Sequence, residues 1–184
     1  KNETKKILKK SVKQRMVSDV PLGSFLSGGI DSTCITALMQ EQSDKKVKTF
    51  SIGFNDDNYN EAQHAKKVAE YLGTDHHEMY IDADDMLDLV PKLSDIYDEP
   101  FSDSSQLPTL MVSKLARSQV TVALTGDSGD EVFCGYTRYS VGADLYDRFK
   151  STPVSLRFAI GTAAQLLSPS SYSYTLSIIS KLIP

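Results

Sequence analysis

Short apolar runs alternate with longer amphipathic segments along the first two thirds of the chain. The runs 22–26, 47–54, 76–81 and 120–124 have the length and composition of buried strands. In the segment 60–73, alanine, valine and leucine recur at helical spacing and a glycine follows the last of them, as at many helix C-termini. Because strands and helices follow one another in this way, we predict an α/β fold with a parallel sheet and helices on both faces.

The same periodicity predicts further helices. An N-terminal helix has its lysines on one side and an apolar opposite side, which comprises Ile7, Leu8, Val12 and Met16. Three other predicted helices cover 82–97, which has acids crowded into its first turn, 109–118 and 156–167. A loop rich in serine and tyrosine, 168–174, follows the last of these helices.

Composition narrows the class of protein. The 184 residues, 40% of them hydrophobic and 24% charged, are enough for one globular domain with its own core. The composition shifts near Lys150, so we assign 1–149 to the main domain and 150–184 to a helical C-terminal extension of it. A net charge of −4 argues against broad nucleic-acid binding. The sequence shows neither an N-terminal apolar signal nor a run of 18 apolar residues, so we expect a cytoplasmic protein without a membrane segment.

Cysteine and histidine give no metal signal. Cys34 and Cys134 belong to neither a CxxC pair nor a Cys/His cluster, and we interpret both as reduced thiols. The histidines have no partner pattern, which favours structural roles; they are His64, His76 and His77.

The stretch FLSGGIDS, residues 25–32, joins the first strand to the following helix. The hydroxyls of Ser27 and Ser32, the N–H groups of Gly28 and Gly29 and the positive end of the helix can together hold a pyrophosphate group. The stretch lacks the lysine of a Walker A loop and the spacing of a GxGxxG loop. Asp31 would repel an anion in this cradle unless a cation lay between them, which indicates Mg²⁺.

A second loop rich in glycine and acids, TGDSGDEVFCGY, follows the last predicted strand. Ligands of open α/β sheets bind at the carboxyl ends of parallel strands, where both loops lie. Asp31 and Asp130 could share the Mg²⁺ and so offset the acids of this loop. Glu131 and Asp95 are interpreted as surface or capping acids.

Two further features could also shape this cleft. Three side chains after the second loop could reach it or could serve packing: Tyr136, Arg138 and Tyr139. The polar loop 98–105 faces the same strand ends and could form part of a carboxylate pocket.

These motifs carry a family resemblance. SGGIDS resembles the PP-loop of N-type ATP pyrophosphatases, which have the adenine nucleotide alpha hydrolase-like fold. The ordered set SDVPLGSFLSGGIDS, TFSIGF, DEPFSDSSQLPT, LTGDSGDEVF and GY resembles the synthetase domain of glutamine-dependent asparagine synthetases. The resemblance extends from about Lys10 to Tyr139. Five motifs in the same order make a chance similarity implausible.

The resemblance implies an activity. Family members use ATP to convert a carboxylate, typically aspartate, to an acyl-adenylate, and ammonia then displaces AMP to give the amide. The match places adenine near Leu26 and Ile52, and the nucleotide near Thr125 and Gly126. Asp127 occupies a position that the family uses to handle the ammonia proton or to orient the intermediate, where many members have the longer glutamate.

The resemblance also sets expectations about partners and completeness. Family members normally carry an N-terminal glutaminase domain that supplies ammonia, whereas this chain begins with the lysine-rich helix. The family's synthetase domain continues further and contributes a downstream lysine to the leaving pyrophosphate, so we expect a truncated domain with weak or no activity alone. Other PP-loop enzymes stay open as alternatives, including NAD synthetases, β-lactam synthetases and sugar-acid amidotransferases. So does a nucleotide-binding remnant without turnover. A tRNA-thiolating enzyme would need a basic face and usually extra cysteines, and the sequence shows neither.

Overall fold

The computed structural model describes residues 2–54 and 61–165, and these form a parallel sheet flanked by helices. The strands are β1 (Leu22–Phe25), β2 (Lys48–Phe54), β3 (Asp75–Ile81) and β4 (Val122–Leu124). The α-helices are α1 (Asn2–Arg15), α2 (Ile30–Glu41), α3 (Ala62–Leu72), α4 (Ala83–Leu87), α5 (Leu93–Ile96), α6 (Gln106–Arg117), α7 (Gly129–Phe133), α8 (Thr137–Phe149) and α9 (Val154–Gln165). A 3₁₀ turn, Val90–Lys92, lies between α4 and α5.

The sheet has the order β3-β2-β1-β4, and each neighbouring pair is parallel. Its register pairs Ser24 with Thr49 across β1 and β2, and with Leu124 across β1 and β4. The predicted parallel sheet is therefore confirmed. Because β1 and β4 are neighbours running in the same direction, the two glycine loops that follow them lie at the same edge of the sheet.

Each face of the sheet is covered by helices. On one face α6 packs against the sheet through clusters that include Phe50 with Ala116 and Ile81 with Met111. On the other face α3 covers Leu26 through two buried alanines, while α1 and α2 enclose a core around Met39. Helices on both faces were predicted from the alternation of elements, and this prediction is confirmed.

The described residues divide into two compact units, with the division between Phe133 and Cys134. The first unit contains the sheet and α1 to α7, and the second contains α8 and α9. The predicted domain boundary between residues 149 and 150 falls within the second unit and stays a prediction. The predicted loop 168–174 lies outside the described residues. In the described part of the chain, every helix is too short or too polar to cross a bilayer.

The segment 82–97 differs from its prediction as one helix, because it forms α4, the 3₁₀ turn and α5 in succession. A capping box starts α4: the Asp85 N–H donates to Asp82 at 2.9 Å, and the Asp82 N–H donates to Asp85 at 3.0 Å. Pro91 has no N–H to continue an α-helix and disfavours helical geometry in the residue before it. The proline therefore breaks the predicted helix.

Three smaller predictions also needed correction. The last strand begins at Val122 and not at Val120, because the Val120 N–H donates to the Ala116 carbonyl at 2.8 Å and so ends α6. Helix α6 begins at Gln106, three residues earlier than predicted; its Pro108 lies in the first turn, where no intrahelical hydrogen bond is lost. Ile7 is 59% exposed and does not share the buried side of α1.

Candidate functional site

The first glycine loop connects β1 to α2 and is closed by its own serines. The Ser27 and Ser32 hydroxyl oxygens are 2.9 Å apart, and the Ser27 N–H donates to Ser32 Oγ at 3.2 Å. The Gly29 N–H donates to Ser27 Oγ at 3.2 Å. These bonds fix the loop as a tight turn at the N-terminus of α2, as the sequence motif predicted.

Helix α2 begins without a side-chain cap. Its N-cap residue is Gly29, in extended conformation, so no side chain covers the first-turn N–H groups. Uncapped N–H groups and the helix dipole favour an anion at this position. Thr33 adds a feature that the motif analysis missed, because its hydroxyl is buried and has no hydrogen-bond partner among the described residues.

Helix α3 forms one wall beside the first loop. Gly28 has φ +83°, and a Cβ at this position would approach the Ala65 nitrogen and the His64 Cβ to 2.8 Å each. Only glycine meets both the backbone conformation and the space available there. The contact with His64 could not be read from the spacing of motifs, because it depends on how α3 packs.

The second glycine loop lies directly on the first. A Cβ at Gly126 would approach the Ser32 nitrogen to 2.5 Å, and a side chain at Gly129 would overlap the carboxylate of Asp31. Ser128, between the two glycines, has φ +69° and turns the chain so that α7 can begin. The absence of side chains at both glycines therefore allows the two loops to touch.

This contact brings acidic groups together. Burial, followed by the charge of Asp130 and a hydrogen bond with it, raises the pKa of Asp31 above its usual range. The charge of Glu131 adds to this effect on the pKa, so an acid interpreted as a capping or surface residue also acts on the site. Two neighbouring carboxylates favour either a shared proton or a bound cation.

The available ligands fit a magnesium ion that also contacts phosphate. Among residues 2–54 and 61–165, no group of three or more His, Cys, Asp or Glu is arranged to hold a metal. Mg²⁺ is usually held by one or two carboxylates and completes its shell with phosphate oxygens and water. The pair formed by Asp31 and Asp130 therefore suits Mg²⁺ bound together with a nucleotide, and not a metal held by protein alone.

Comparison with known proteins identifies the family. The profile of the asparagine synthase family matches residues 3–177. The chain belongs to the asparagine synthase family. A relative from Methanocaldococcus jannaschii, which carries the name asparagine synthetase (glutamine-hydrolysing) 2, is 48% identical over 156 residues, 84% of this chain and 30% of the relative. Bacillus subtilis asparagine synthetase 1 (glutamine-hydrolysing) is 41% identical over 129 residues, 70% of this chain and 20% of the relative.

A solved structure supports the fold. NH3-dependent NAD synthetase from Campylobacter jejuni matches with a TM-score of 0.50 at 13% identity, covering 98% of this chain and 93% of that chain. Its likeness shows the fold alone, and it agrees with the predicted adenine nucleotide alpha hydrolase-like class. The two asparagine synthetase relatives are much longer proteins, since the chain spans 30% and 20% of their lengths.

Of the two residues matched to the family's adenine site, Leu26 directly follows β1 and Ile52 lies on the neighbouring strand β2. Leu26 is 1% exposed, and its N–H donates to the Phe50 carbonyl at 2.9 Å as β1 ends. Ile52 lies further along β2, and its side chain packs with Ile81 and Met111 under α6. Ile52 is half-buried, so part of its side chain packs in this core and part remains accessible.

The residues matched to the family's second motif form a local hydrogen-bonded turn. The Thr125 hydroxyl donates to Asp127 Oδ2 at 2.8 Å, and the Asp127 N–H donates back to Thr125 Oγ1 at 3.3 Å. Asp127 is exposed, whereas Thr125 and Gly126 are half-buried. The structure thus brings Thr125, Gly126 and Asp130 to the edge of the first loop, with Asp127 in solvent.

Two histidines contact core residues. His76 lies between two β2 hydroxyls, with Nδ1 2.9 Å from Thr49 Oγ1 and Nε2 3.3 Å from Ser51 Oγ. Burial lowers the pKa of His76. The His77 ring stacks on Phe50 with 5.5 Å between centroids. These contacts agree with structural roles for both residues.

The remaining candidates are exposed or pack on one another. Asp95 is exposed in the short helix α5, and both cysteines are exposed free thiols. In the second unit, the Arg138 guanidinium lies 4.4 Å from the ring centroid of Tyr136, which itself contacts the ring of Tyr139. The aromatic and arginine side chains after the second loop therefore form a small cluster of their own.

Proposed function

We propose that this chain is the ATP-dependent amide-forming part of an asparagine synthase family enzyme. Its reaction converts a carboxylate, in the first instance aspartate, to an acyl-adenylate, which ammonia attacks to give the amide, AMP and pyrophosphate. One observation carries the proposal: Gly126 and Gly129 bring the second loop onto the first and so set Asp130 beside Asp31. Family membership and the names of the relatives support the same reaction.

The first loop and the strand ends hold the nucleotide in this proposal. The serines and glycines of the loop bind the pyrophosphate part of ATP through hydroxyl and N–H groups; they are Ser27, Gly28, Gly29 and Ser32. The two hydroxyls and the Gly29 N–H, which are hydrogen-bonded to one another within the loop, would exchange these bonds for bonds to phosphate oxygens. The adenosine part is bordered by Leu26, Ile52, Thr125 and Gly126. Asp31 and Asp130 would hold Mg²⁺, which when bound would stabilise negative charge on the departing pyrophosphate.

Asp127 acts in the second half of the reaction. Attack of ammonia on the acyl carbon leaves an extra proton on nitrogen, and a nearby carboxylate can accept it. Asp127 is exposed at the edge of the nucleotide loops, where a second substrate could reach it. Asp127→Asn should therefore reduce amide formation while retaining carboxylate-dependent exchange of pyrophosphate into ATP. Equal loss of both activities would assign Asp127 to the nucleotide, the metal or the fold.

In this proposal the ammonia is supplied by a separate domain. The relatives' names specify glutamine hydrolysis, so we propose a glutaminase domain as the partner that supplies ammonia. Added ammonia should replace that partner in an assay. A positive group that binds the departing pyrophosphate is also expected outside the two loops. Removing such a group typically lowers the rate by about 10²- to 10³-fold.

ATP–pyrophosphate exchange tests the proposed function directly. Labelled pyrophosphate, ATP and Mg²⁺ are incubated with aspartate, with other amino acids or with sugar acids, and exchange reports reversible adenylation without any need for ammonia. We expect exchange with one carboxylate class, followed by amide formation when ammonia is added. Nucleotide binding without exchange for any carboxylate would favour a protein that binds ATP but does not adenylate.

A further inference from the structure

Thr125 makes the side-chain contact that fixes the direction of Asp127. The Thr125 hydroxyl donates to Asp127 Oδ2 at 2.8 Å, and the N–H of Asp127 donates to the same hydroxyl oxygen at 3.3 Å. In the described part of the chain, the second carboxylate oxygen, Oδ1, has no hydrogen-bond partner. One oxygen of this exposed side chain is thus held by a hydrogen bond, whereas the other accepts none from the described residues.

An exposed aspartate without such a contact would sample several rotamers, because nothing else in the turn restrains it. Thr125 is suited to restrain it. Its branched Cβ allows few χ1 values, and it is half-buried directly after β4, a strand hydrogen-bonded into the sheet. The sheet therefore sets the direction of the Thr125 hydroxyl. The hydroxyl in turn sets the direction of the Asp127 carboxylate.

We propose that Thr125 is a positioning residue for Asp127 in the amidation step. This inference rests on the proposed function, because it assigns Thr125 a task that exists only if Asp127 serves the attack of ammonia. It goes beyond the expected contact of Thr125 with the nucleotide. That contact could serve adenylation, whereas the hydrogen bond to Asp127 serves the step that follows.

The chemical step balances without any further reagent. The ammonia nitrogen forms a bond to the acyl carbon, and the bond from that carbon to the AMP phosphate oxygen breaks. The electron pair of the broken bond leaves with AMP. The extra proton on nitrogen passes to Asp127 Oδ1, while Oδ2 stays bonded to the Thr125 hydroxyl.

Threonine variants separate positioning from nucleotide binding. Thr125→Val keeps the branched shape and removes the hydroxyl, whereas Thr125→Ser keeps the hydroxyl. Thr121→Val is a matched control, since Thr121 is exposed just before β4, at the opposite end from the two loops. The chain is assayed with whatever domains accompany it in the native protein, with added ammonia, and the readout is amide formed per AMP released.

This ratio reports how often the adenylate is captured by ammonia and not by water. It is therefore independent of how tightly each variant binds ATP. In Thr125→Val we expect the ratio to fall roughly tenfold, the scale expected for loss of a hydrogen bond to a charged group. Thr125→Ser should restore most of it, and Thr121→Val should match the unsubstituted protein. The ratio in Thr125→Val should also depend more steeply on ammonia concentration.

A double variant tests whether Thr125 acts through Asp127. If Thr125 acts through Asp127, Thr125→Val should lower the ratio no further in an Asp127→Asn background. Additive losses, or an unchanged ratio in Thr125→Val, would overturn the positioning role. Failure of the proposed function looks different, because the unsubstituted protein would then show no carboxylate-dependent exchange at all.

Discussion

The two glycine loops at the sheet edge are built in different ways. The first is held by its own hydroxyls, with Ser27 and Ser32 closing the turn at 2.9 Å and α3 packed against Gly28. The second is placed by contact, with Gly126 against the backbone at Ser32 and Gly129 against the Asp31 carboxylate. The second loop also has hydrogen bonds of its own, between Thr125 and Asp127, but the position of its carboxylates relative to Asp31 depends on the contacts at Gly126 and Gly129.

This difference assigns separate tasks to the loops. In the proposed site, the first loop supplies an anion site at the N-terminus of α2, where the N-cap residue provides no side-chain hydrogen bond. The second supplies carboxylates whose positions depend on a close approach without intervening side chains. Substitutions in the second loop should therefore disturb the metal site more than equally small changes elsewhere, and changes in the first should disturb the phosphate site.

Gly129→Ala should have the largest effect. The new Cβ would overlap the Asp31 carboxylate, so the second loop must shift and the spacing of the acids must change. We expect roughly a hundredfold loss of Mg²⁺-ATP affinity, measured by calorimetry. Gly142→Ala is the matched control, since nothing lies within 4 Å of a Cβ there and alanine favours helix α8. If the two variants bound Mg²⁺-ATP with equal affinity, the second loop would not be positioned by its contact with the first.

Ser32→Ala should have an intermediate effect by opening the first loop. It removes the hydroxyl that lies 2.9 Å from Ser27 Oγ and accepts from the Ser27 N–H. We expect about a tenfold loss of ATP affinity and a loss of about 1–2 kcal/mol in unfolding free energy. Urea denaturation measures the second quantity. Ser140→Ala, at an exposed position in α8 whose hydroxyl has no hydrogen-bond partner among the described residues, serves as the control. Full ATP affinity in Ser32→Ala would show that the hydroxyl closure is dispensable.

His76→Gln should have the smallest effect, seen only in the pH dependence of stability. Burial lowers the pKa of His76 in the folded state below its ordinary value of 6.5. Between the folded and unfolded pKa values the unfolded chain binds more protons, so the contribution of His76 to stability is present above pH 6.5 and is lost as the pH falls. Unfolding free energies measured from about pH 7 to about pH 5 should therefore fall less in His76→Gln. If His76→Gln and the unsubstituted protein lost unfolding free energy in parallel as the pH fell, the lowered pKa of His76 would be contradicted.

Much of the fold could be predicted because it depends on local patterns. Apolar runs defined the strands, and their alternation with helices required parallel pairing. The break at Pro91 shows the limit of periodicity, since the acids and leucines of 82–97 fit one helix until the missing N–H is considered. The start of β4 was misplaced for a similar reason. Val120 is as apolar as a strand residue, but its N–H completes α6.

The residues of the candidate site could be predicted from the sequence, but the contacts between them could not. The order of serine, glycine and aspartate along residues 27–32 is enough to indicate a phosphate loop and a cation. That Gly129 lies against Asp31, or that His64 borders Gly28, depends on distances between elements far apart in sequence. The hydrogen bond between Thr125 and Asp127 is local, yet a spacing of two residues gave no reason to expect it.

The central claim is that both loops form one Mg²⁺-ATP site, and its most direct test is calorimetric titration of ATP with and without Mg²⁺. The titration compares the unsubstituted chain with Asp31→Asn and Asp130→Asn, which keep side-chain size and remove one charge each. We predict that Mg²⁺ increases ATP affinity in the unsubstituted chain and that either substitution abolishes this increase. If both variants kept the full Mg²⁺-dependent increase, the two carboxylates would not hold the metal and the claim would be wrong.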